Sequence, residues 1–294
     1  MNLREYLRHA GDRISATPAS NPQLEAEVLI RHVLSFGREQ FFAELKRRLS
    51  PDETALLDAL VARRASGEPL AYLTGHREFY GLEFAVDDRV LIPRQETELL
   101  VELALKFAGG LPPSRRDDVT IVDVGTGSGA VAIALAHNLP NATVFAVELD
   151  DAAMGVARGN CQRHNLSDRV HLRSGDLLGP VQSPVDIIVS NPPYIPTDVI
   201  STLAIEVQRE PRRALDGGAD GLDVTRRLLR QAPAKLNPGG LMLVELSPDQ
   251  MDKAEKLARD AFPTAEVSHA DDLLGLPRVL VVKTDEASGL AASP

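Results

Sequence analysis

The sequence predicts an α/β protein in which a small N-terminal helical bundle and a β-hairpin linker precede a mostly parallel sheet with an antiparallel last strand. From Val119 onward, short β-branched runs alternate with helical patterns. This order is typical of a parallel sheet covered by helices on both faces. Residues 1–78 carry helical patterns instead, and residues 78–86 have strand propensities around a glycine, which predicts the hairpin.

The composition narrows the class of protein. The chain has 294 residues, of which 44% are hydrophobic and 25% charged, an ordinary globular balance. No apolar run is long enough to span a bilayer, and the N-terminus is charged where a signal peptide needs an apolar core. Cys161 is the only cysteine and lies in mid-helix, which fits a reducing compartment and argues against a catalytic thiol. We therefore expect a cytoplasmic monomer without a membrane partner.

The formal net charge of -10 falls entirely on residues 79–294, because residues 1–78 are formally neutral. An acidic body is a poor match for a phosphate backbone, so no stable nucleic acid partner is expected. It better suits a protein partner with a basic surface. Simple solubility is the alternative explanation.

Helix signals recur along residues 1–78. Asn21 is a good N-cap with Pro22 at the first helical position. Ser50 and Glu53 form a capping box, and Gly67 is expected to end the helix that follows. The predicted apolar stripes are Leu24, Val28, Leu29 and Val33; Phe41, Phe42, Leu45 and Leu49; and Leu56, Leu57, Leu60 and Val61.

The later elements are predicted in order. Strands are expected near 119–124, 143–148, 169–173, 185–190, 241–246, 265–269 and 278–283, and helices near 128–138, 151–164, 222–236 and 249–261. No helix separates the last two strands, so they are expected to pair as an antiparallel hairpin. The expected domains are a bundle over 1–77, a hairpin linker over 78–93, a sheet domain over 94–284 and a flexible tail over 285–294.

The strand at 185–190 ends at an unusual tetrapeptide, Asn191-Pro192-Pro193-Tyr194. Because prolines cannot continue a ladder, Asn191 lies at the carboxyl end of the strand, where open α/β sheets bind ligands. The Asn191 carboxamide oxygen and the Pro192 carbonyl are neighbouring acceptors, and Tyr194 offers a flat face. This combination suits a planar NH2 group. A strand followed by a plain proline turn is the alternative.

A glycine-rich turn closes the first strand of the sheet, in the sequence Asp123-Val124-Gly125-Thr126-Gly127-Ser128-Gly129. Its glycines allow the backbone to approach a ligand at a helix N-terminus. A dinucleotide site would have the spacing G-x-G-x-x-G, whereas the spacing here is G-x-G-x-G. The carboxylate of Asp123 suits a cationic amine better than a pyrophosphate. A merely structural turn is the other alternative.

Two further strand ends carry acids. Glu148 ends the second strand about 20 residues past the glycines, where a carboxylate can accept hydrogen bonds from ribose hydroxyls. Asp176 follows the third strand and can accept a hydrogen bond from an adenine amino group. A loop cap is the alternative role for Asp176.

The convergence of these strand ends resembles the S-adenosylmethionine-dependent methyltransferases of the Rossmann-like type, and the Asn-Pro-Pro-Tyr motif resembles their amino-methylating branch. Further segments make nearly the whole chain resemble the HemK family, the protein-(glutamine-N5) methyltransferases that act on peptide-chain release factors. These segments are Tyr72-Leu73-Thr74-Gly75, Glu78-Phe79-Tyr80-Gly81, Leu91-Ile92-Pro93-Arg94, Glu96-Thr97-Glu98, Glu210-Pro211, Ala214-Leu215-Asp216-Gly217-Gly218 and Asp220-Gly221-Leu222.

The resemblance implies an enzyme that methylates a release-factor glutamine and so modulates translation termination. It implies that the N-terminal bundle recognises the release factor. The implied catalytic residues are Asn191, Pro192 and Tyr194, and Pro193 joins them in binding substrate. The implied S-adenosylmethionine site, which releases S-adenosylhomocysteine, consists of Asp123, Gly125, Thr126, Gly127, Ser128, Gly129, Glu148, Asp176, Leu177 and Asn191.

The implied mechanism rests on two acceptors. An amide nitrogen is a poor nucleophile because its lone pair is delocalised into the carbonyl. Asn191 Oδ1 and the Pro192 carbonyl are expected to accept hydrogen bonds from the two N–H groups of the substrate amide. These bonds favour a pyramidal nitrogen. Tyr194 is expected to pack on the glutamine side chain. No metal is expected, since the seven histidines show no paired ligand spacing.

Three positions depart from the family pattern: Gln95 replaces a usual proline, Glu148 a usual aspartate, and Ser247 a usual glycine. None removes a group from the proposed chemistry. Three other functions remain open: N6-adenine methylation of nucleic acid, glutamine methylation of a ribosomal protein, and a non-catalytic adaptor that keeps the fold. The segment around Pro93 and Arg94 looks unlike the ribosomal-protein enzymes, and the intact motifs count against an adaptor.

Overall fold

The chain divides into two structural units in the computed structural model, which describes residues 1–15, 21–116 and 118–286. The first unit consists of residues 1–76 together with residues 203–210, and the second contains the rest of the chain. The tail expected to be flexible lies outside the described residues from 287 onward. No helix within the described ranges is long and apolar enough to cross a membrane.

Within residues 1–15 and 21–76, five helices form the N-terminal part of the first unit. They are α1 (Leu3–Ile14), α2 (Pro22–Leu34), α3 (Arg38–Ala43), α4 (Pro51–Ala65) and α5 (Leu70–Thr74). Their predicted caps are confirmed: the Asn21 side chain accepts from the Leu24 N–H, and Ser50 and Glu53 form a reciprocal capping box. Gly67 follows α4 in the left-handed conformation, at φ +89°, and ends that helix as expected.

The apolar stripes were partly wrong. Leu24, Phe42 and Leu56 are 43%, 50% and 60% exposed. In α2 the predicted Leu29 is buried, and Ala26 and Ile30, which the stripe did not include, are buried with it. These helices have more apolar residues than one face can bury, so spacing alone did not decide which residues face the core.

A buried ion pair fixes a distant segment to the first unit. Arg64 is 1% exposed, and its Nε donates to Glu25 Oε2 at 2.7 Å. Its second guanidinium arm pairs with Glu206, which belongs to the segment 203–210. Arg209 in the same segment donates to the Ser66 carbonyl oxygen at 2.9 Å. Loss of a partner is costly for a buried guanidinium, so the segment is an integral part of the first unit.

The remaining elements follow the predicted alternation. In order they are β1 (His76–Phe79), β2 (Leu82–Ala85), α6 (Glu98–Gly110), α7 (Pro113–Arg116), β3 (Thr120–Val124), α8 (Ala130–Asn138), β4 (Thr143–Glu148), α9 (Asp151–Arg163), β5 (Val170–Ser174), β6 (Val185–Ser190), α10 (Ile205–Gln208), α11 (Asp223–Gln231), β7 (Leu236–Glu245), α12 (Met251–Ala261), β8 (Glu266–Asp271) and β9 (Pro277–Lys283). The helix α10 lies in the segment that belongs to the first unit.

The predicted hairpin is the two-stranded sheet of β1 and β2. Its two turn residues, Tyr80 and Gly81, have φ of +50° and +75°. Two positive φ values in a two-residue loop are typical of a type I′ hairpin turn. Residues 86–93, which the linker was expected to include, form no helix or strand.

In the described part of the chain, seven strands form the main sheet in the order β5-β4-β3-β6-β7-β9-β8. The strands from β5 to β7 are parallel, and β9 pairs antiparallel with both β7 and β8, as predicted. Both faces are buried: Ile187 packs on one side and Ile188 on the other. The chain runs outward from β3 through β4 and β5, then returns to β6 on the other side of β3. The carboxyl ends of β3 and β6 therefore flank a topological switch point, where open α/β sheets bind ligands.

One predicted boundary was wrong. The helix expected over 222–236 ends at Gln231, and a short 3-10 turn over Ala232–Ala234 follows it. Pro233 lacks the N–H that the next helical turn would need. Leu236 instead begins β7, which is longer than predicted and is irregular near its start, where its register with β6 shifts.

Candidate active site

The carboxyl ends of β3, β4, β5 and β6 surround a cavity of about 520 Å³. Seven residues of the sequence-predicted site line it: Gly125, Gly127, Glu148, Asp176, Leu177, Asn191 and Pro193. A smaller cavity of about 60 Å³ shares Gly125, Gly127 and Asn191 with it and is also lined by Asp123, Thr126 and Ser128. Gly129 is the N-cap of α8 and lines neither cavity.

Asp123 supports the glycine loop through hydrogen bonds. This carboxylate is 2% exposed, and its Oδ2 accepts from the Thr126 hydroxyl at 2.6 Å and from the Ala132 N–H at 3.2 Å. Burial raises the pKa of Asp123 to about 6, while these two hydrogen bonds favour the charged form. Asp123 thus joins the loop to the first turn of α8.

Glu148 braces the other side of the loop. Its Oε2 accepts from the Gly127 N–H at 2.9 Å, and its Oε1 accepts from the backbone N–H groups of Leu149 and Asp150 at 2.9 and 3.0 Å. A carboxylate offers about four acceptor positions, so three bonds leave room for one more donor, on the side of Oε2. A ribose hydroxyl is a donor of the right kind for that position.

Asp176 and Leu177 lie on the cavity wall beyond β5. Asp176 is paired with Arg227, which also lines the cavity. Leu177 has a positive φ of +52°, an uncommon conformation for a bulky side chain, in which it adds an apolar surface. A carboxylate beside an apolar surface is suited to a flat base that carries an amino group.

Asn191 lies between the two cavities and is anchored by a hydroxyl. Its Nδ2 donates to Thr97 Oγ1 at 3.0 Å. The Thr97 side chain in turn lies beside the Glu245 carboxylate. The amide nitrogen of Asn191 therefore has a partner within the protein, which leaves Oδ1 as the side-chain acceptor. The sequence predicted two acceptors for the substrate amide, Asn191 Oδ1 and the Pro192 carbonyl. The bond to Thr97 accounts for the orientation of the first.

Asn191 lines both cavities, whereas Pro192 and Tyr194 lie away from them. Pro192 is buried, and neither residue lines the two cavities. Tyr194 packs against the core between the sheet, α11 and α12, and its hydroxyl donates to Glu245 Oε1 at 3.4 Å. Burial, followed by the nearby Glu245 charge, raises the pKa of Tyr194. The structure therefore gives the Tyr194 ring a packing role beneath the loop.

The tetrapeptide loop is held by the glycine-containing segment that follows residue 214. The Ile195 N–H donates to the Leu215 carbonyl at 2.9 Å, and the Gly217 N–H donates to the Ile195 carbonyl at 2.9 Å. A Cβ at Gly221, which has φ +75°, would overlap the Tyr194 carbonyl oxygen. Only glycine fits there, and the close approach lets Gln250 Nε2 reach the same carbonyl at 2.8 Å.

The residues present fit S-adenosylmethionine. The cavity volume is in the range of small-molecule sites, roughly 300–1,000 Å³. The large cavity offers a carboxylate with remaining acceptor capacity at Glu148, an apolar wall at Leu177 and Leu91, and a backbone turn at Gly125 and Gly127. Within the described ranges, no cluster of three or more His, Cys, Asp or Glu side chains is placed to hold a metal ion.

Comparison with known proteins gives the family. The model of the PrmC N-terminal domain matches residues 5–75, and that of the methyltransferase small domain matches residues 110–218. The release factor glutamine methyltransferase of Moorella thermoacetica is 45% identical over 88% of this chain and 90% of its own. That of Geobacter sulfurreducens is 42% identical over 95% of each chain. This chain belongs to the release factor glutamine methyltransferase family.

Solved structures of lower identity share the fold of this family member. The hMettl16 catalytic domain, in complex with a 3'UTR hairpin, is 17% identical, with a TM-score of 0.58 over 80% of this chain and 84% of its own. A T. thermophilus 16S rRNA methyltransferase, in complex with AdoMet and guanosine, is 21% identical, with a TM-score of 0.51 over 71% of this chain and 49% of its own. At these identities the likeness concerns the fold alone.

Two residues of the family member's site had no role predicted from the sequence. Thr97 belongs to the segment Glu96-Thr97-Glu98 that contributes to the family resemblance, and Glu245 carries no prediction from the sequence. Both lie far from Asn191 in the sequence, Thr97 by 94 residues. The available signal was an acid, Glu245, directly after the apolar run Leu241-Met242-Leu243-Val244, where a buried charge requires a partner.

Proposed function

We propose that this protein transfers a methyl group from S-adenosylmethionine to the side-chain amide nitrogen, N5, of a glutamine in peptide-chain release factors, and so modulates translation termination. The observation that supports the proposal is the hydrogen bond from Asn191 Nδ2 to Thr97 Oγ1 at 3.0 Å, which leaves Asn191 Oδ1 as the side-chain atom that can accept from a substrate N–H. This acceptor lies beside the cavity whose residues fit the cofactor.

Each part of the site has a distinct task in this proposal. S-adenosylmethionine, when bound, supplies an electrophilic methyl group. The Glu148 carboxylate, Leu177 and the backbone of the glycine loop hold it. Asn191 Oδ1, with the Pro192 carbonyl, accepts the N–H groups of the substrate amide and so favours the nitrogen geometry in which the lone pair is available. An acceptor aimed at charge that develops only during reaction stabilises the transition state more than the ground state.

The substrate is a protein, and the first unit is proposed to contribute to binding it. A glutamine in a loop offers few contacts, and a second surface raises affinity through effective concentration. The first unit carries exposed apolar side chains suited to such a contact, Leu24, Phe42 and Leu56. We place the enzyme in the cytoplasm, as a monomer without stable nucleic acid.

Labelled S-adenosylmethionine tests the function directly. The enzyme is incubated with a purified release factor, with DNA, or with ribosomal protein, and label is measured in each. The proposal predicts label in the release factor alone. Label in DNA supports adenine methylation, label in ribosomal protein supports that substrate, and label in none contradicts the proposed activity.

A further inference from the structure

Glu245 is a buried acid beside the reacting group. It ends β7, next to the strand that carries Asn191, and is 1% exposed. Carboxylates are rarely buried to this degree without a specific partner, because loss of hydration penalises the charged form. The Tyr194 hydroxyl donates to this carboxylate at 3.4 Å, and the Thr97 side chain lies beside it. Its Oε2 has no further partner among the described residues, so the acid is not fully satisfied as a structural group.

Thr97 departs from the usual behaviour of a helix cap. It occupies the N-cap position of α6, where a threonine side chain ordinarily accepts from a backbone N–H of the first turn. Here it makes no such capping bond. Its oxygen accepts from Asn191 Nδ2 at 3.0 Å instead, and its hydroxyl is left to donate to the neighbouring Glu245 carboxylate. The Thr97 hydroxyl thus lies between Glu245 and the Asn191 amide and does not cap α6.

The direction of these bonds follows from the donors available. A hydroxyl has one proton. When Thr97 donates that proton to the Glu245 carboxylate, its oxygen can only accept, and the neighbouring Asn191 must present Nδ2 rather than Oδ1. We propose that Glu245 is a positioning residue that fixes the orientation of the Asn191 carboxamide through Thr97. This inference rests on the proposed function, in which Asn191 Oδ1 accepts from the substrate amide.

The groups around Glu245 affect its protonation, and only the carboxylate form fixes the Asn191 carboxamide in this way. The groups that face the carboxylate are Thr97 and Glu96 at the start of α6, Tyr194 after β6, and Arg278 in β9. Burial raises the pKa of Glu245 to about 7; the two hydroxyls and Arg278 oppose this rise, and Glu96 adds to it. A protonated Glu245 can donate to Thr97, which frees the threonine proton to point at Asn191 and permits the carboxamide to flip.

The kinetic test compares Glu245→Gln with Asp186→Asn. Asp186 is a buried acid at the other end of β6, paired with Arg115 at 2.9 Å and distant from the chemistry by the length of the strand. Glu245→Gln is expected to lower kcat about 10- to 100-fold, as for other residues that orient a reacting group, with little change in cofactor affinity. Asp186→Asn is expected to keep kcat. A wild-type kcat in Glu245→Gln overturns the inference.

Two readouts separate positioning from general damage. The wild-type kcat is expected to fall as pH drops through about 7, and Glu245→Gln is expected to lose this dependence. The double variant Glu245→Gln/Thr97→Val is expected to be no slower than the slower single variant, because both substitutions break one chain of bonds. Multiplying losses, or an unchanged pH dependence in Glu245→Gln, contradict the inference.

A spectroscopic readout needs no substrate and so distinguishes failure of this inference from failure of the proposed function. The side-chain ¹⁵N–¹H signals of Asn191 are assigned by their loss in Asn191→Asp. They are expected to shift in Glu245→Gln and in Thr97→Val, and to stay in place in Asp186→Asn. Unchanged Asn191 signals in Glu245→Gln overturn the positioning role, whatever the substrate. Absence of methyl transfer by the wild type, with the shifts present, contradicts only the proposed function.

Discussion

Asn191 Nδ2 donates to Thr97 Oγ1 at 3.0 Å, so the amide nitrogen of the active-site asparagine is bound to the N-cap residue of α6. The bond joins two elements of the second unit that meet only in the folded chain. It also leaves Oδ1 as the group that Asn191 can offer to a substrate N–H.

Thr97→Val removes the hydroxyl while keeping the shape of the side chain. We expect kcat to fall about tenfold or more, because Asn191 loses the partner that fixes its orientation, and we expect the cofactor affinity to stay unchanged. Thr97→Ser keeps the hydroxyl and serves as the matched control, with a kcat near wild type. Steady-state kinetics with release factor check both, and equal rates in Thr97→Val and Thr97→Ser would contradict the role of the hydroxyl.

Glu148→Ala is expected to weaken S-adenosylmethionine binding while kcat at saturation changes little. The substitution removes a ribose acceptor and leaves the Gly127 N–H without its bond at 2.9 Å. Both effects act on bound cofactor in ground and transition states alike. Titration calorimetry measures the affinity, and Glu148→Gln, which keeps one acceptor oxygen, is expected to lie between Glu148→Ala and wild type. An unchanged affinity in Glu148→Ala excludes the ribose role.

Surface substitutions test the first unit better than its deletion does. Removing residues 1–76 would strip Glu206 of its buried partner Arg64, and with it the anchor of the segment 203–210. Phe42→Ser and Leu56→Ser alter exposed side chains instead. Together they are expected to raise KM for whole release factor at least about fivefold, since apolar anchors carry much of an interface energy.

A short glutamine peptide is the control for these surface variants. It cannot reach a second contact surface, so its KM is expected to be the same for the variants and the wild type. If KM for whole release factor also stays constant, the contact role of Phe42 and Leu56 is wrong.

The free energy of unfolding is expected to depend on pH because Glu245 is buried. Burial raises the pKa of Glu245 from its ordinary value of 4.5 to about 7. Between these values the folded chain holds a proton that the unfolded chain has released, so this stabilising contribution is present below about pH 4.5 and lost as pH rises through about 7. The full effect is on the order of 3 kcal/mol.

Urea unfolding at several pH values measures that effect as a difference between two proteins. The free energy of unfolding of wild type, relative to Glu245→Gln, is expected to decrease from pH 4.5 to pH 7.5. Subtracting the variant removes the contribution of other acids, among them Asp123, whose pKa is also raised. Parallel pH profiles for the two proteins would show that Glu245 does not titrate in this range.

The strand ends of the site could be predicted because their signals are local. A buried apolar run followed by Asn191 and two prolines places an asparagine at a strand's carboxyl end, and the alternation of elements brings such ends together. The partners of Asn191 are different in kind. Thr97 and Glu245 come from a helix start and another strand, and no periodicity connects them with Asn191.

The bundle shows the same limit. The helix caps depend on residues close together in the sequence, and they were predicted. The exposure of Leu56 depends instead on which face of α4 packs against the other helices. The attachment of the segment 203–210 depends on a buried pair between Arg64 and Glu206, 142 residues apart. Such pairings are decided by the tertiary fold, and a single sequence does not display them.

Peptide mapping by mass spectrometry is the most direct test of the central claim that Asn191 presents an acceptor to a release-factor glutamine. Purified release factor is incubated with S-adenosylmethionine and either wild type or Asn191→Ala, after calorimetry has shown that the variant still binds the cofactor. We predict a methyl-sized gain on a single glutamine with wild type, and a rate at least about 10²-fold lower with Asn191→Ala. A methyl group on another type of residue, or wild-type turnover in Asn191→Ala, would contradict the claim.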